Sequence, residues 1–228
     1  MSEAQEREPF RIDEAVGHVI TRFRVPLLVL LAAVGVVLIA IVVVTDQRRA
    51  VIERSTELIE EIEQRWLIAS EEERASLDSE VLPQLESMAE RHRGRYAGRR
   101  ALQLVAARYA ERGEWQEAAE RFTELADRST GYLAALALSN AAVAYEELGD
   151  RDTAERFYRD VADRYPNEAT LAPRALFAVA RLEEERGDPL AANEAYVALE
   201  AKYPLSRWSL LARNRVIYLR ASGALDGS

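Results

Sequence analysis

The chain has 228 residues, a formal net charge of −9, no cysteine and two histidines. That composition excludes a disulfide framework and cysteine or multi-histidine metal chemistry, and the acidic balance disfavours nucleic acid as a partner. Residues 1–24 carry four arginines against five acids, and residues 46–228 carry 26 basic and 34 acidic residues, a net of −8.

In chain order, Glu8–Arg24 places Phe10, Ile12, Val16, Val19, Ile20 and Phe23 at roughly helical spacing, which predicts either a short amphipathic helix lying on a membrane surface or a poorly ordered tail. Val25–Thr45 follows, with no charged residue in 21 positions and fifteen Leu, Ile or Val. At about 1.5 Å per residue a helix of this length spans the hydrocarbon core of about 30 Å. The run is longer than a typical signal-peptide core and no A-x-A-like site follows it, so an uncleaved signal-anchor is expected. Pro26 falls in the first turn of that span, where its missing N–H does no harm. Flanking charge leaves the orientation open, because Arg11, Arg22 and Arg24 on one side are matched by Arg48, Arg49 and Arg54 on the other.

Gln47–Ala69 continues as a helix, with Val51, Ile52, Leu58, Ile59, Ile62 and Trp66 on one stripe. Ser70-Glu71-Glu72-Glu73 reads as a capping box that opens a second helix, with Leu77, Val81, Leu85 and Met88 inward and Pro83 as a possible kink. Two helices joined this tightly predict an antiparallel hairpin.

The remainder repeats itself around Gly113, Gly149 and Gly187, spaced 36 and 38 residues apart. Five residues after each glycine stands Ala118, Ala154 or Ala192, and nine after stands Phe122, Tyr158 or Tyr196. Seven before stands Ala106, Ala142 or Ala180, and eleven before stands Leu102, Leu138 or Leu176. Leu125, Val161 and Leu199 follow at twelve, and Tyr165-Pro166 and Tyr203-Pro204 close the second and third units. Each unit is read as two helices that meet at the glycine, pack closely at the alanines and stop at the proline.

This pattern resembles the tetratricopeptide repeat over about residues 96–205, with Arg207–Ser222 as a solvating cap helix. It departs from that repeat where the usual Trp is Leu in each unit, Glu183 replaces a Tyr and Thr130 replaces a Pro. The predicted fold class is therefore all-α: a short N-terminal segment 1–24, a transmembrane signal-anchor 25–45, a juxtamembrane hairpin 46–94 and about three repeats with a cap helix over 95–228.

This architecture is similar to that of the YfgM-like ancillary subunits of the bacterial Sec translocon. The resemblance implies a single-pass inner-membrane protein with its N-terminus in the cytoplasm and its repeats in the periplasm. It also implies a chaperone-like adaptor that meets translocon subunits, a periplasmic chaperone or unfolded client chains. The Tyr-Pro unit endings are similar as well to envelope-assembly lipoproteins and division coordinators, so a cell-envelope assembly or division scaffold is the alternative. No cofactor or metal is expected, and no phosphate-binding loop, H-E-x-x-H or other catalytic constellation occurs, so the chain reads as a non-enzyme.

In the repeats it resembles, the first helix of each unit lines a concave face. Counted from the glycines, that face holds Arg100, Gln103 and Ala107, then Leu136, Ser139 and Val143, then Arg174, Phe177 and Arg181, with Asn140 at the position that often bonds a ligand backbone. An extended peptide is the expected occupant, with Glu111, Glu146, Glu147, Glu184 and Glu185 as an acidic lip, unless the arginines pair with those glutamates. Arg91, Arg93, Arg95, Arg99 and Arg100 form a second candidate, a basic loop at the base of the hairpin suited to an anionic surface.

Overall fold

The computed structural model describes the backbone of residues 12–225 and the side chains of residues 26, 28–47 and 53–225. The amphipathic pattern expected over Glu8–Arg24 lies outside the described side chains. All regular structure among the described residues is helical: α1 (Ile12–Ile68), α2 (Glu71–Arg91), α3 (Tyr96–Glu111), α4 (Trp115–Asp127), α5 (Gly131–Glu147), α6 (Arg151–Arg164), α7 (Leu171–Glu185), α8 (Pro189–Lys202) and α9 (Arg207–Ala221). Packing divides the chain into two units, Met1–Arg54 and Ser55–Ser228.

In the first unit, Leu28–Gln47 is long and apolar enough to cross a membrane. None of it is buried by protein, and side chains such as Val36 and Ile39 are 67% and 65% exposed.

The second unit is built from helix pairs. Ser55, Ile59 and Ile62 of α1 are buried at spacings of four and three residues, one face of a helix. Ser55 lies 3.4 Å from His92 and the Trp66 indole donates to Asp78 at 3.1 Å, so this stretch runs antiparallel to α2. The capping box forms: the Ser70 backbone N–H donates to Glu73 Oε2 at 2.9 Å, and the Ser70 hydroxyl accepts from the Glu73 N–H. The α2 helix runs through Pro83, which is exposed, to Arg91.

From α2 onward each helix packs on the next, and α5 with α7 and α7 with α9 touch as well, so the first helices of successive pairs lie side by side. The repeat markers form the contacts between these layers. Ala106, Ala142, Ala180, Ala118, Ala154 and Ala192 are all 0% exposed, and Phe122, Tyr158 and Tyr196 are exposed by 5% or less. Alanine lets two helix backbones approach, and the aromatic nine residues past the glycine fills the space beside that approach. Gly113, Gly149 and Gly187 have φ of 73°, 78° and 86°, the left-handed conformation that ends the first helix of each unit. Asp150 and Asp188 then cap the second helices by accepting from the N–H groups of Thr153 and Ala191. Tyr165 and Tyr203 close α6 and α8, and the Tyr203 hydroxyl donates to the Pro166 carbonyl at 2.8 Å, joining the ends of two repeats.

Gly98 has a different duty. A Cβ there meets the His92 carbonyl oxygen at 2.3 Å, because α3 begins directly against the end of α2. Backbone cannot yield as a side chain does, so Gly98→Ala is expected to destabilise the protein by about 3 kcal/mol. Urea titration followed by circular dichroism measures this, and an unchanged midpoint refutes the close approach.

Candidate peptide-binding face and its charge network

The three rows expected to line a groove lie on α3, α5 and α7, of which α5 and α7 pack directly on one another. Their side chains are far less available than the pattern implies. The Arg100 guanidinium is bonded to Glu63 and also donates to Gln103 at 3.1 Å. Ser139 is 2% exposed, because α5 buries most of its circumference, so it offers nothing to a ligand. Leu136 and Val143 are partly buried and pack on the main core. Phe177 packs between the tilted rings of Tyr196 and Trp208, its ring centroid 5.3 Å from each, so α8 and α9 cover the apolar contact expected there. Arg181 donates to Glu146 at 2.5 Å and to Glu185 at 2.6 Å. Asn140 and Arg174 are left half-buried on this face, and Arg174 makes no ion pair among the described residues. Arg174 opens onto a cleft of about 550 Å³ bounded by Thr170, Leu171, Arg207 and Trp208.

The expected acidic lip is largely consumed from within, in a pattern that repeats. Glu146 of α5 accepts from the Tyr158 hydroxyl of α6 at 2.6 Å and from Arg181 of α7. One unit on, Glu184 of α7 accepts from the Tyr196 hydroxyl of α8 at 3.3 Å and is ion-paired to Arg215 of α9. Each glutamate thus ties three successive helices together. Burial, then the neighbouring Glu146 carboxylate, pushes the Tyr158 phenol well above its usual range. Burial and the charge of Glu184 push Tyr196 up to about 12. Burial opposes the charge of Arg181, yet its bonds to Glu146 and Glu185 raise its pKa overall. Glu111 is paired with Arg108 and Glu185 with Arg181, while Glu147 is exposed.

The basic loop is similarly engaged. Arg91 donates to the Ser87 hydroxyl at 2.7 Å, Arg93 pairs with Glu90 at 2.9 Å, Arg99 donates to the Gly94 carbonyl at 2.8 Å and Arg100 is held by Glu63. Arg95 is exposed and makes no ion pair among the described residues.

A centre that sequence reasoning passed over lies between the hairpin and the first repeat. Asp78 is 1% exposed. Arg108 Nε donates to both of its oxygens, at 2.8 and 2.9 Å, Trp66 donates at 3.1 Å, and Arg112 stands 3.6 Å away. The bond to Asp78 is the main cause of a raised Arg108 pKa. The only sequence signal was an acid beside Leu77 on the inward face of α2, where a charge is tolerated only when it is paired. No group of three His, Cys, Asp or Glu able to hold a metal ion occurs among the described residues.

Taken together, fold and face define an all-helical repeat protein with an N-terminal helix apolar enough to span a membrane. A family model described as a domain of unknown function, DUF6340, matches residues 105–185. The chain is also 33% identical over 145 residues to a protein of Treponema pallidum (strain Nichols) described as a TPR repeat-containing protein. That match covers 63% of this chain and 60% of the relative. The helical-repeat fold and this likeness support a role in protein–protein interaction.

Proposed function

We propose that the chain is a non-enzymatic, membrane-anchored adaptor that binds polypeptide partners with its repeats on the extracytoplasmic face of the inner membrane, as an ancillary chaperone at the Sec translocon. The observation that carries the adaptor reading is the stack of paired helices joined to a segment long and apolar enough to span a bilayer. The translocon as its place of work rests on the resemblance of that architecture to the YfgM-like subunits. Partner chains meet the face at Asn140 and Arg174 and the cleft beside them, where a carboxylate or backbone carbonyl of an extended segment finds a half-buried guanidinium.

In-cell crosslinking and purification of the full chain tests this. Translocon subunits or unfolded secretory chains are expected to co-purify. Asn140→Ala with Arg174→Ala is expected to reduce their recovery by about 5- to 30-fold, from a loss of about 1–2 kcal/mol, while helicity stays unchanged. Recovery of envelope-assembly or division proteins in their place overturns the translocon reading, and undiminished recovery with the double variant overturns the face.

A further inference from the structure

The last helix among the described residues, α9, exposes a side that the preceding first helices cover. On α7, Ala175, Val179 and Leu182 join the cluster of Tyr158 and Val161 from α6. On α9, Ala212, Val216 and Leu219 join Tyr196 and Leu199 of α8 in the same manner. One residue further round α7, Leu176 and Ala180 turn to the following helix, α8. The matching positions on α9 are Arg213 and Ile217, with Leu210 on the same side two turns before Ile217, and among the described residues no further helix follows to cover them. Leu210 and Ile217 are 59% and 58% exposed. The exposed surface of this helix therefore mixes apolar Leu210 and Ile217 with Arg207, Arg213, Asn214 and Arg220.

Charge narrows the occupant. In a chain of net charge −9, residues 202–221 contain Lys202, Arg207, Arg213, Arg215 and Arg220 and not one acid. Arg207 and Arg220 make no ion pair among the described residues, and Arg213 has only Glu200.

We propose that this side of α9 docks an acidic amphipathic helix of a partner protein in the position that α8 holds against α7. The inner repeats set its form: about four turns, with small apolar residues toward Leu210 and Ile217 and carboxylates toward Arg213 and Arg220. Two α9 helices face to face would oppose like charges, which disfavours a second copy as the occupant. A lipid surface accounts for the arginines and the exposed leucine but not for the match to the α7–α8 contact. The proposal rests on the adaptor reading only in taking a protein as the occupant.

The absence of cysteine makes the test clean. Asn214→Cys, beside the face, carries an environment-sensitive fluorophore on the full chain in phosphatidylcholine nanodiscs. The probe is a synthetic peptide with the α4 sequence, WQEAAERFTELAD, a second helix of this same repeat with four acids and one arginine. A saturable blue shift is expected. It should weaken at least about tenfold with Leu210→Asp plus Ile217→Asp, and to a similar degree when the four peptide acids become glutamine. Both substituted positions are exposed, so an unchanged circular dichroism spectrum verifies the fold. The absence of a shift, or a shift indifferent to both changes, overturns the proposal. So does a shift that comes from phosphatidylserine in the nanodisc without peptide, or from self-association that the double substitution abolishes. Any of these results leaves the crosslinking test of the adaptor reading standing.

Discussion

Replacing Asp78 by alanine is expected to lower the unfolding free energy by about 3 kcal/mol, the cost of leaving a mostly buried guanidinium with only the exposed Glu111 as its partner. The Arg108 side chain is 13% exposed and Asp78 2%, so neither charge can turn to water when the other is removed. Trp66 loses its acceptor in the same step. Because α1, α2 and α3 each supply one member, the loss should fall on the docking of the hairpin to the first repeat. Hydrogen exchange should then show protection lost first over residues 55–111. Asp78→Leu combined with Arg108→Met, which removes both charges and fills the space, is expected to recover most of the loss. Urea titrations of the three proteins check this, and a loss under about 1 kcal/mol for Asp78→Ala would show that the pair is not desolvated.

The second large effect is alkaline. Tyr196 is raised from 10.0 to about 12 in the folded chain by burial and by Glu184. Below pH 10 the phenol is protonated in both states and its contribution to stability is fully present. As pH rises from 10 toward 12, the unfolded chain releases the proton and the folded chain keeps it, so stability is lost across that window. Two units correspond to about 3 kcal/mol. Tyr158 is raised by the same combination of burial and a glutamate, and it adds to the fall in the same direction. The melting temperature is therefore expected to be nearly flat up to about pH 10 and to drop steeply above it. Tyr196→Phe, which keeps the packing, should flatten part of that drop while leaving Glu184 its bond to Arg215. Equal slopes for the two proteins between pH 10 and 12 would contradict the assignment.

Much of the fold was legible in the chain itself. An apolar run of 21 residues admits few readings, and a glycine, an alanine and an aromatic recurring at fixed offsets specify paired helices because only those residue sizes permit the approach. The capping box at Ser70 was a local signal, and it formed as the local rule requires. The face of the stack was legible only as a set of positions. Phe177 read as an exposed apolar contact, and its cover comes from Tyr196 of its own repeat together with Trp208 on the helix that follows. Arg100 and Arg181 read as ligand-binding cations unless paired with glutamates; Arg181 takes Glu185 four residues on, while Glu63 and Glu146 lie 37 and 35 residues away along the chain.

What the sequence by itself determined is the class: helices, their ends, the repeat and the apolar segment, all governed by contacts within a few residues or by a period. Only the tertiary structure decided which charges are spent inside the stack and which side chains remain for a partner. Glu146 and Glu184 looked like a solvated rim and are the ties between three helices, while Leu210 and Ile217 looked like part of a solvating cap and stand uncovered. Pairing across the stack depends on which atoms come within about 3 Å after packing, and no local periodicity carries that distance.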